Sequence, residues 1–170
     1  NNENINDFIP YKLEDIDCDI PYDISNLDSA IISKLRLMTA EDLQNISEVT
    51  EGIENRILSS ANMSYSFETL VENVKNKRYT TSKIRRMIIS ALIGFTKDIY
   101  SPMPQYIRIL GMNKVGMTIL KQAKGICKVP IITKTADFKE QSPQFNLDVR
   151  ATNIAMLCNP IPTHRIGNSD

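Results

Sequence analysis

The sequence predicts a mostly α-helical α+β fold, with a helical bundle followed by a small parallel βαβ unit and a C-terminal helix. Three observations predict it. Apolar residues recur every three or four positions between residues 25 and 97, the spacing of a buried helix face. Residues that cap helix N-termini stand just ahead of these runs. After the Ser101-Pro-Met-Pro104 break, two short apolar runs flank one amphipathic stretch, the pattern of strand, helix and strand. At 170 residues the chain is long enough for one domain with a real core.

Residues 1–24 lack sustained periodicity. Pro10, Pro21 and scattered acids predict an extended, solvated lead-in from an upstream domain. Ser25 and Asp28 have the spacing of a capping box, predicting a helix to residue 38 that buries Leu27, Ile31, Ile32 and Leu35. Thr39 is a good N-cap, followed by Glu41 and Asp42 where the helix dipole favours negative charge. Met38 and Leu43 stand at the positions of a hydrophobic staple. Leu43, Ile46, Val49, Ile53, Ile57 and Ala61 then predict one helix over 40–61. Gly52 within it costs about 1 kcal/mol relative to Ala and is a place for a break or bend.

Ser66 caps the next predicted helix, which buries Phe67, Leu70, Val71 and Val74. Thr80 or Thr81 caps the one after, with Ile84, Met87, Ile88, Ala91, Leu92 and Phe95 as its stripe. Lys83, Arg86, Ser90 and Lys97 share the opposite, solvent-facing side, and Arg85 lies on the flank. Beyond the proline break, residues 106–110 and 129–133 read as parallel strands joined right-handedly by a helix over 113–124 that stops at Gly125. Ser142-Pro143 starts a last helix to Cys158, with Phe145, Val149, Ile154 and Leu157 on its apolar side. Asp148 and Arg150 are expected to pair there, worth about 0–1 kcal/mol if exposed. The organisation is a linker at 1–24, a single domain at 25–158 (helical 25–97, then βαβ plus helix at 105–158) and a tail at 159–170.

Most enzyme signatures are absent. Gly111-Met-Asn-Lys-Val-Gly116 lacks the three-glycine spacing of a dinucleotide site, and reads as a turn or a weak anion site at a helix N-terminus. Cys18, Cys127 and Cys158 are too far apart to suggest a metal site, and are expected as reduced thiols in a cytosol. His164, the only histidine, lies in a Pro-rich stretch and is expected at the surface. No apolar run approaches the roughly 20 residues of a membrane span. Residues 1–9 are polar and acidic, unlike a signal peptide, and the first residue is not Met, as in a piece of a longer protein.

Charge is the informative property. The net charge is zero, yet residues 1–30 carry eight acids and one base, whereas 75–134 carry thirteen bases and one acid, Asp98. Segregation of this kind makes a local field that attracts anionic partners. Its densest part is Lys75-Asn-Lys-Arg-Tyr-Thr80 and the helix start that follows. Lys75, Lys77, Arg78, Lys83, Arg85 and Arg86 are candidate phosphate contacts, and Tyr79 a candidate platform for an unpaired base. Lys97, Lys121, Lys124 and Lys128 reinforce the field. The alternative is that these cations are a solvated face.

Several phrases occur in a specific order: Glu51-Gly-Ile-Glu-Asn-Arg-Ile57, Ser66-Phe-Glu68, Lys75-Asn-Lys-Arg-Tyr-Thr80 with Ile84 and Arg86, and Tyr106-Ile-Arg-Ile-Leu-Gly111. From about Leu27 to Ala151 the chain thereby resembles the C-terminal half of the bacterial tRNA(Met) cytidine acetate ligases, members of the nucleotidyltransferase superfamily with a His-Ile-Gly-His-type motif. The resemblance implies a cytoplasmic parent enzyme that uses ATP (with Mg) and acetate to form acetyl-adenylate. That enzyme then makes N4-acetylcytidine at the wobble position of elongator tRNA(Met). It places the catalysis in an N-terminal domain whose nucleotide-binding motif is not in this sequence. The fragment itself is then expected to supply no catalytic residue, metal or cofactor.

Its implied partners are tRNA and its own N-terminal domain, with a homodimer as a further option. Lys75, Lys77, Arg78, Tyr79 and Thr80 match the family's lysine-rich Tyr-Thr motif. Lys83 stands where the family has Arg, which keeps charge but loses the bidentate fork. Glu51, Glu54, Asn55 and Arg56 match a Glu-Gly-Leu-Glu-Asn-Arg motif whose role is open. Glu54, Asn55 and Arg56 read equally well as a buried polar clasp between helices. Asp148-Val-Arg-Ala-Thr-Asn153 ends in Asn where the family more often has Asp. Two other function classes stand beside RNA docking: a structural or dimerisation module without RNA contact, and an autonomous enzyme.

Overall fold

Asp23, rather than Ser25, opens the first helical segment. The structure, a computed structural model, describes residues 23–50, 52–134 and 142–159. The lead-in at 1–24 and the tail at 159–170 lie almost wholly outside these residues, as do Glu51, Cys18 and His164. The Asp23 carboxylate accepts the Ser25 N–H at 2.9 Å and caps a 3₁₀ turn, Ile24–Leu27, which runs into α1, Asp28–Arg36. The expected box between Ser25 and Asp28 is not formed. Asp28 instead accepts the Phe67 N–H at 2.8 Å, reaching an orphan donor at the start of α4, Phe67–Val74.

Thr39 caps α2, Ala40–Gln44, in a full capping box with Asp42. The single helix expected over 40–61 is two helices, because α3 begins only at Glu54 and runs Glu54–Met63. Two forces stop α2. The backbone of the link pairs elsewhere: Ile46 bridges Thr96, Ser47 N–H donates to Phe95 O at 2.9 Å, and Lys97 N–H donates to Asn45 O at 2.8 Å. Gly52 then takes a φ of 92°, left-handed backbone that suits glycine. Ile46, Val49 and Ile53 stay buried, so helical spacing survives in a segment that is not a helix.

Ser66 caps α4 in a box with Thr69. Thr80 caps α5, Thr81–Ile93, which ends at Gly94 with φ 72°. Ile84, Met87, Ile88 and Ala91 are buried as the spacing requires, in one core with Ile31, Leu35, Leu43, Ile57 and Leu70 from the other helices. Fully burying each large aliphatic side chain contributes roughly 1.5–3 kcal/mol. The polar row on α5 is shorter than expected. Ser90 is buried, and Lys97 lies beyond the helix end.

Three arginines close helix C-termini, where unpaired carbonyls and the dipole favour a cation. Arg36 donates to Ala61 O at 3.0 Å, and also to the carbonyls of Asn62 and Ser64 at the end of α3. Arg56 donates to Val74 O at 2.8 Å and to the carbonyls of Asn73 and Lys75 at the end of α4. Arg150 donates to Ile93 O at 2.9 Å at the end of α5.

Beyond the bundle, β1, Ile107–Arg108, and β2, Ile131–Ile132, form a parallel two-stranded sheet with Ile107 opposite Ile131. The strands are shorter than the sequence predicts. Between them lies α6, Lys114–Ala123, capped by Asn113, which accepts the Gly116 N–H at 2.9 Å. Ser142 caps α7, Pro143–Met156. Asp148 and Arg150 do not pair. Asp148 accepts the Tyr106 hydroxyl, while Arg150 serves α5. Burial, followed by the Asp148 carboxylate, pushes the Tyr106 phenol well above its ordinary pKa.

Candidate nucleic-acid interface

The basic loop joins α4 to α5 and is a fixed turn. Asn76 Oδ1 accepts the N–H groups of Arg78 at 2.8 Å and Tyr79 at 3.0 Å, a side-chain-made turn, and Asn76 bridges Tyr79. Tyr79 is only 7% exposed, and its hydroxyl shares a 2.9 Å hydrogen bond with that of Thr50. The ring therefore anchors the loop in the core, and in this conformation it offers no face to a base. Arg56 holds the other end of the loop through Lys75 O. Pinned at both ends, the loop leaves Lys77 and Arg78 exposed at its tip.

The predicted cations divide into two groups. Lys75 pairs with Glu72 at 3.3 Å, Arg85 with Glu68 at 2.7 Å, and Arg86 with Glu48 at 3.5 Å. Exposed pairs of this kind are worth about 0–1 kcal/mol, so a phosphate can compete for the cation. Lys77, Arg78 and Lys83 have no acidic partner among the described residues. The structure brings Arg78 and Lys83 together over one ring: they lie 5.4 and 5.2 Å from the Tyr79 centroid. Arg85 sits apart, over Phe67 at 5.8 Å.

Lys83 also borders a cleft of about 380 Å³ together with Ser47, Glu48, Thr50, Lys97 and Tyr100. Sequence reading did not group these residues, since only the 45–47 and 95–97 bridge joins them. Lys124 and Lys128 border a separate depression of about 430 Å³ beside Cys127. Of the downstream cations, Lys97 thus joins the cleft beside Lys83, while Lys124 and Lys128 form a second group on the βαβ unit.

The Glu54-Asn-Arg56 motif is a clasp at two of its positions. Glu54 is buried and accepts Gln44 Nε2 at 3.0 Å and the Gly52 N–H at 2.8 Å, joining α2, the link and α3. Hydrogen bonds from its own N–H and from Gln44 hold its carboxyl below the usual carboxylate range. Arg56 binds α4, whereas Asn55 is exposed. Cys127 is exposed and Cys158 buried, and burial, followed by the charge of Asp23, pushes the Cys158 thiol up. Among the described residues no cluster of His, Cys, Asp and Glu could hold a metal ion. No helix among them is long and apolar enough to cross a membrane.

The chain belongs to the HIGH nucleotidyl transferase family, whose sequence model matches residues 1–170. More narrowly, it is similar to the tRNA(Met) cytidine acetate ligase of Acetivibrio thermocellus, with 36% identity over 145 residues, 79% of this chain and 35% of that protein. The ligase of Thermosipho africanus is 34% identical over 173 aligned positions, 88% of this chain and 41% of that protein. Two crystal structures of Thermotoga maritima TmcAL share the fold. The one bound with alpha-thio ATP has a TM-score of 0.73 and 30% identity, covering 84% of this chain and 39% of that one. The apo form I structure has a TM-score of 0.74 and 29% identity, covering 84% and 38%. This chain therefore spans well under half the length of these relatives, from 35% to 41%.

Proposed function

We propose that this chain is the C-terminal, tRNA-docking part of an ATP-dependent ligase that forms N4-acetylcytidine at the wobble position of elongator tRNA(Met). Activation of acetate with ATP and Mg falls to a companion N-terminal domain. The chain itself has no His-Ile-Gly-His sequence and a single histidine. Its work is electrostatic. Lys77, Arg78 and Lys83 neutralise tRNA phosphates, release counterions and set the register of the RNA against the catalytic domain. The carrying observation is that Lys77 and Arg78 stand on a loop pinned by Tyr79 and Arg56, and Lys83 on the first turn of α5 beside it, with no acid paired to them among the described residues. Preorganisation lowers the entropy cost of docking. Work on a tRNA substrate is cytoplasmic work.

The test is tRNA affinity as a function of salt. Lys77→Ala with Arg78→Ala is expected to weaken binding and to lower the slope of log affinity against log salt by roughly 1.4–1.8, about 0.7–0.9 per lost phosphate contact. An unchanged slope with the fold intact would rule the reading out. A second reading, a structural or dimerisation module, is favoured by one observation: α6 buries none of its residues, and Val115 and Ile119 are 67% and 59% exposed. It expects a mass in solution that rises with protein concentration, and no tRNA retention in a gel shift.

A further inference from the structure

The cleft beside the basic loop combines features that neither the loop nor the family motifs supply. Its walls are held by backbone hydrogen bonds, Ser47 N–H to Phe95 O at 2.9 Å and Lys97 N–H to Asn45 O at 2.8 Å, so it is formed before any ligand arrives. At about 380 Å³ it falls within the range of small-ligand sites, roughly 300–1,000 Å³. Tyr100 lines it and is 61% exposed, tilted at 45° to Phe95 with 6.4 Å between ring centroids. Unlike Tyr79, this aromatic has surface to offer.

Lys83 and Lys97 both line the cleft, and neither has an ion-pair partner among the described residues. Glu48 also lines the cleft and pairs with Arg86 at 3.5 Å, while Thr96 beside Asp98 holds the Asp98 carboxyl below the usual carboxylate range. Ser47, a hydroxyl-bearing residue, also lines it. A ring to stack on, two cations for a phosphate and a hydroxyl for a sugar oxygen together match one nucleotide. Lys83 belongs at once to this cleft and to the Arg78–Tyr79 cluster, so a strand whose phosphates follow the loop is led to the cleft.

We infer that the cleft between the 45–50 link and residues 95–100 takes a single unpaired nucleotide of the bound RNA, its base stacked on Tyr100 and its phosphate held by Lys83 and Lys97. This rests on the RNA-docking reading and adds a base-dependent step to it. The stack is sequence-tolerant, because every base has a π face.

The experiment uses the full chain and fluorescence anisotropy with a labelled single-stranded RNA of roughly six nucleotides, against an abasic strand of equal length. The intact strand should bind about tenfold more tightly, the effect of one stacked base. Tyr100→Leu should remove that preference and leave the abasic affinity unchanged, while Tyr100→Phe keeps it. Lys97→Ala should weaken both strands equally and lower the salt slope by about one. A preference that survives Tyr100→Leu overturns the assignment. Salt-dependent tRNA binding without any base preference overturns the cleft alone, whereas loss of all RNA binding overturns the docking reading with it. Cytidine monophosphate that displaces the strand at equal concentration would assign the cleft to free nucleotides rather than to RNA.

Discussion

The bundle and the βαβ region solve the problem of stability differently. Helices α1 to α5 and the link at 45–53 supply nearly all of the buried apolar side chains. Beyond residue 97 the only buried apolar side chains among the described residues are Ile132 and Cys158, and of these only Cys158 belongs to the bundle core. The later region is attached by directional polar contacts. Gln105 and Gln144 exchange backbone-to-side-chain hydrogen bonds at 2.9 and 3.2 Å, Tyr106 donates to Asp148, and Arg150 donates to Ile93 O. Tyr106 and Phe145 add one edge-on ring contact with centroids 5.4 Å apart. The proposed docking loop belongs to the first region. Cations fixed on a dense core can present a constant pattern to RNA, which cations on the second region cannot do as well.

The largest test of this contrast compares truncations in the two regions. Leu70, fully buried, should lose about 2–5 kcal/mol when changed to Ala, and urea denaturation should show it. Val115→Ala on α6 should stay within about 0.5 kcal/mol, because that side chain is mostly exposed. An equal loss at both positions would erase the distinction.

Gly94 joins the regions and comes next in size. Its φ of 72° disfavours any side chain, and a Cβ there would lie 2.7 Å from Arg150 Nη1. Gly94→Ala should therefore cost about 2–3 kcal/mol, combining left-handed strain with a displaced helix cap. Arg150→Ala should cost less, and adding it to Gly94→Ala should cost less than the sum of the two, since both act on one contact.

The smallest effect is pH-dependent and confined to the bundle. The carboxyl of Glu54 is held below its ordinary value of 4.5, so its contribution to stability is present above that pH and is lost as pH falls through the folded value. Denaturation midpoints should decline on acidification below about pH 4.5, and Glu54→Gln should make the decline shallower. A variant with the wild-type acid profile would show that the Gln44 and Gly52 contacts do not favour the carboxylate.

Local chemistry was legible in the sequence and non-local chemistry was not. Thr39, Ser66, Thr80 and Ser142 cap the helices they precede, since a cap acts within three residues, whereas Asn113, read as the first residue of its helix, is the cap of α6. The 45–53 link escaped because Ile46, Val49 and Ile53 keep helical spacing while their backbone pairs with 95–97. Asp28, Arg36 and Arg150 act across sequence separations of 39, 25 and 57 residues, which no periodicity encodes. In the candidate site, charge density singled out the loop between α4 and α5. It could not separate Lys77, Arg78 and Lys83 from the cations paired with Glu72, Glu68 and Glu48, nor show that Tyr79 is the anchor and Tyr100 the exposed ring.

Lysine acylation footprinting with and without saturating tRNA shows whether the loop between α4 and α5 meets the RNA. With the basic loop docked, tRNA should protect Lys77 and Lys83 while Lys34, on α1, labels as before. Equal labelling of Lys77 and Lys83 in the free and tRNA-bound chain would contradict it.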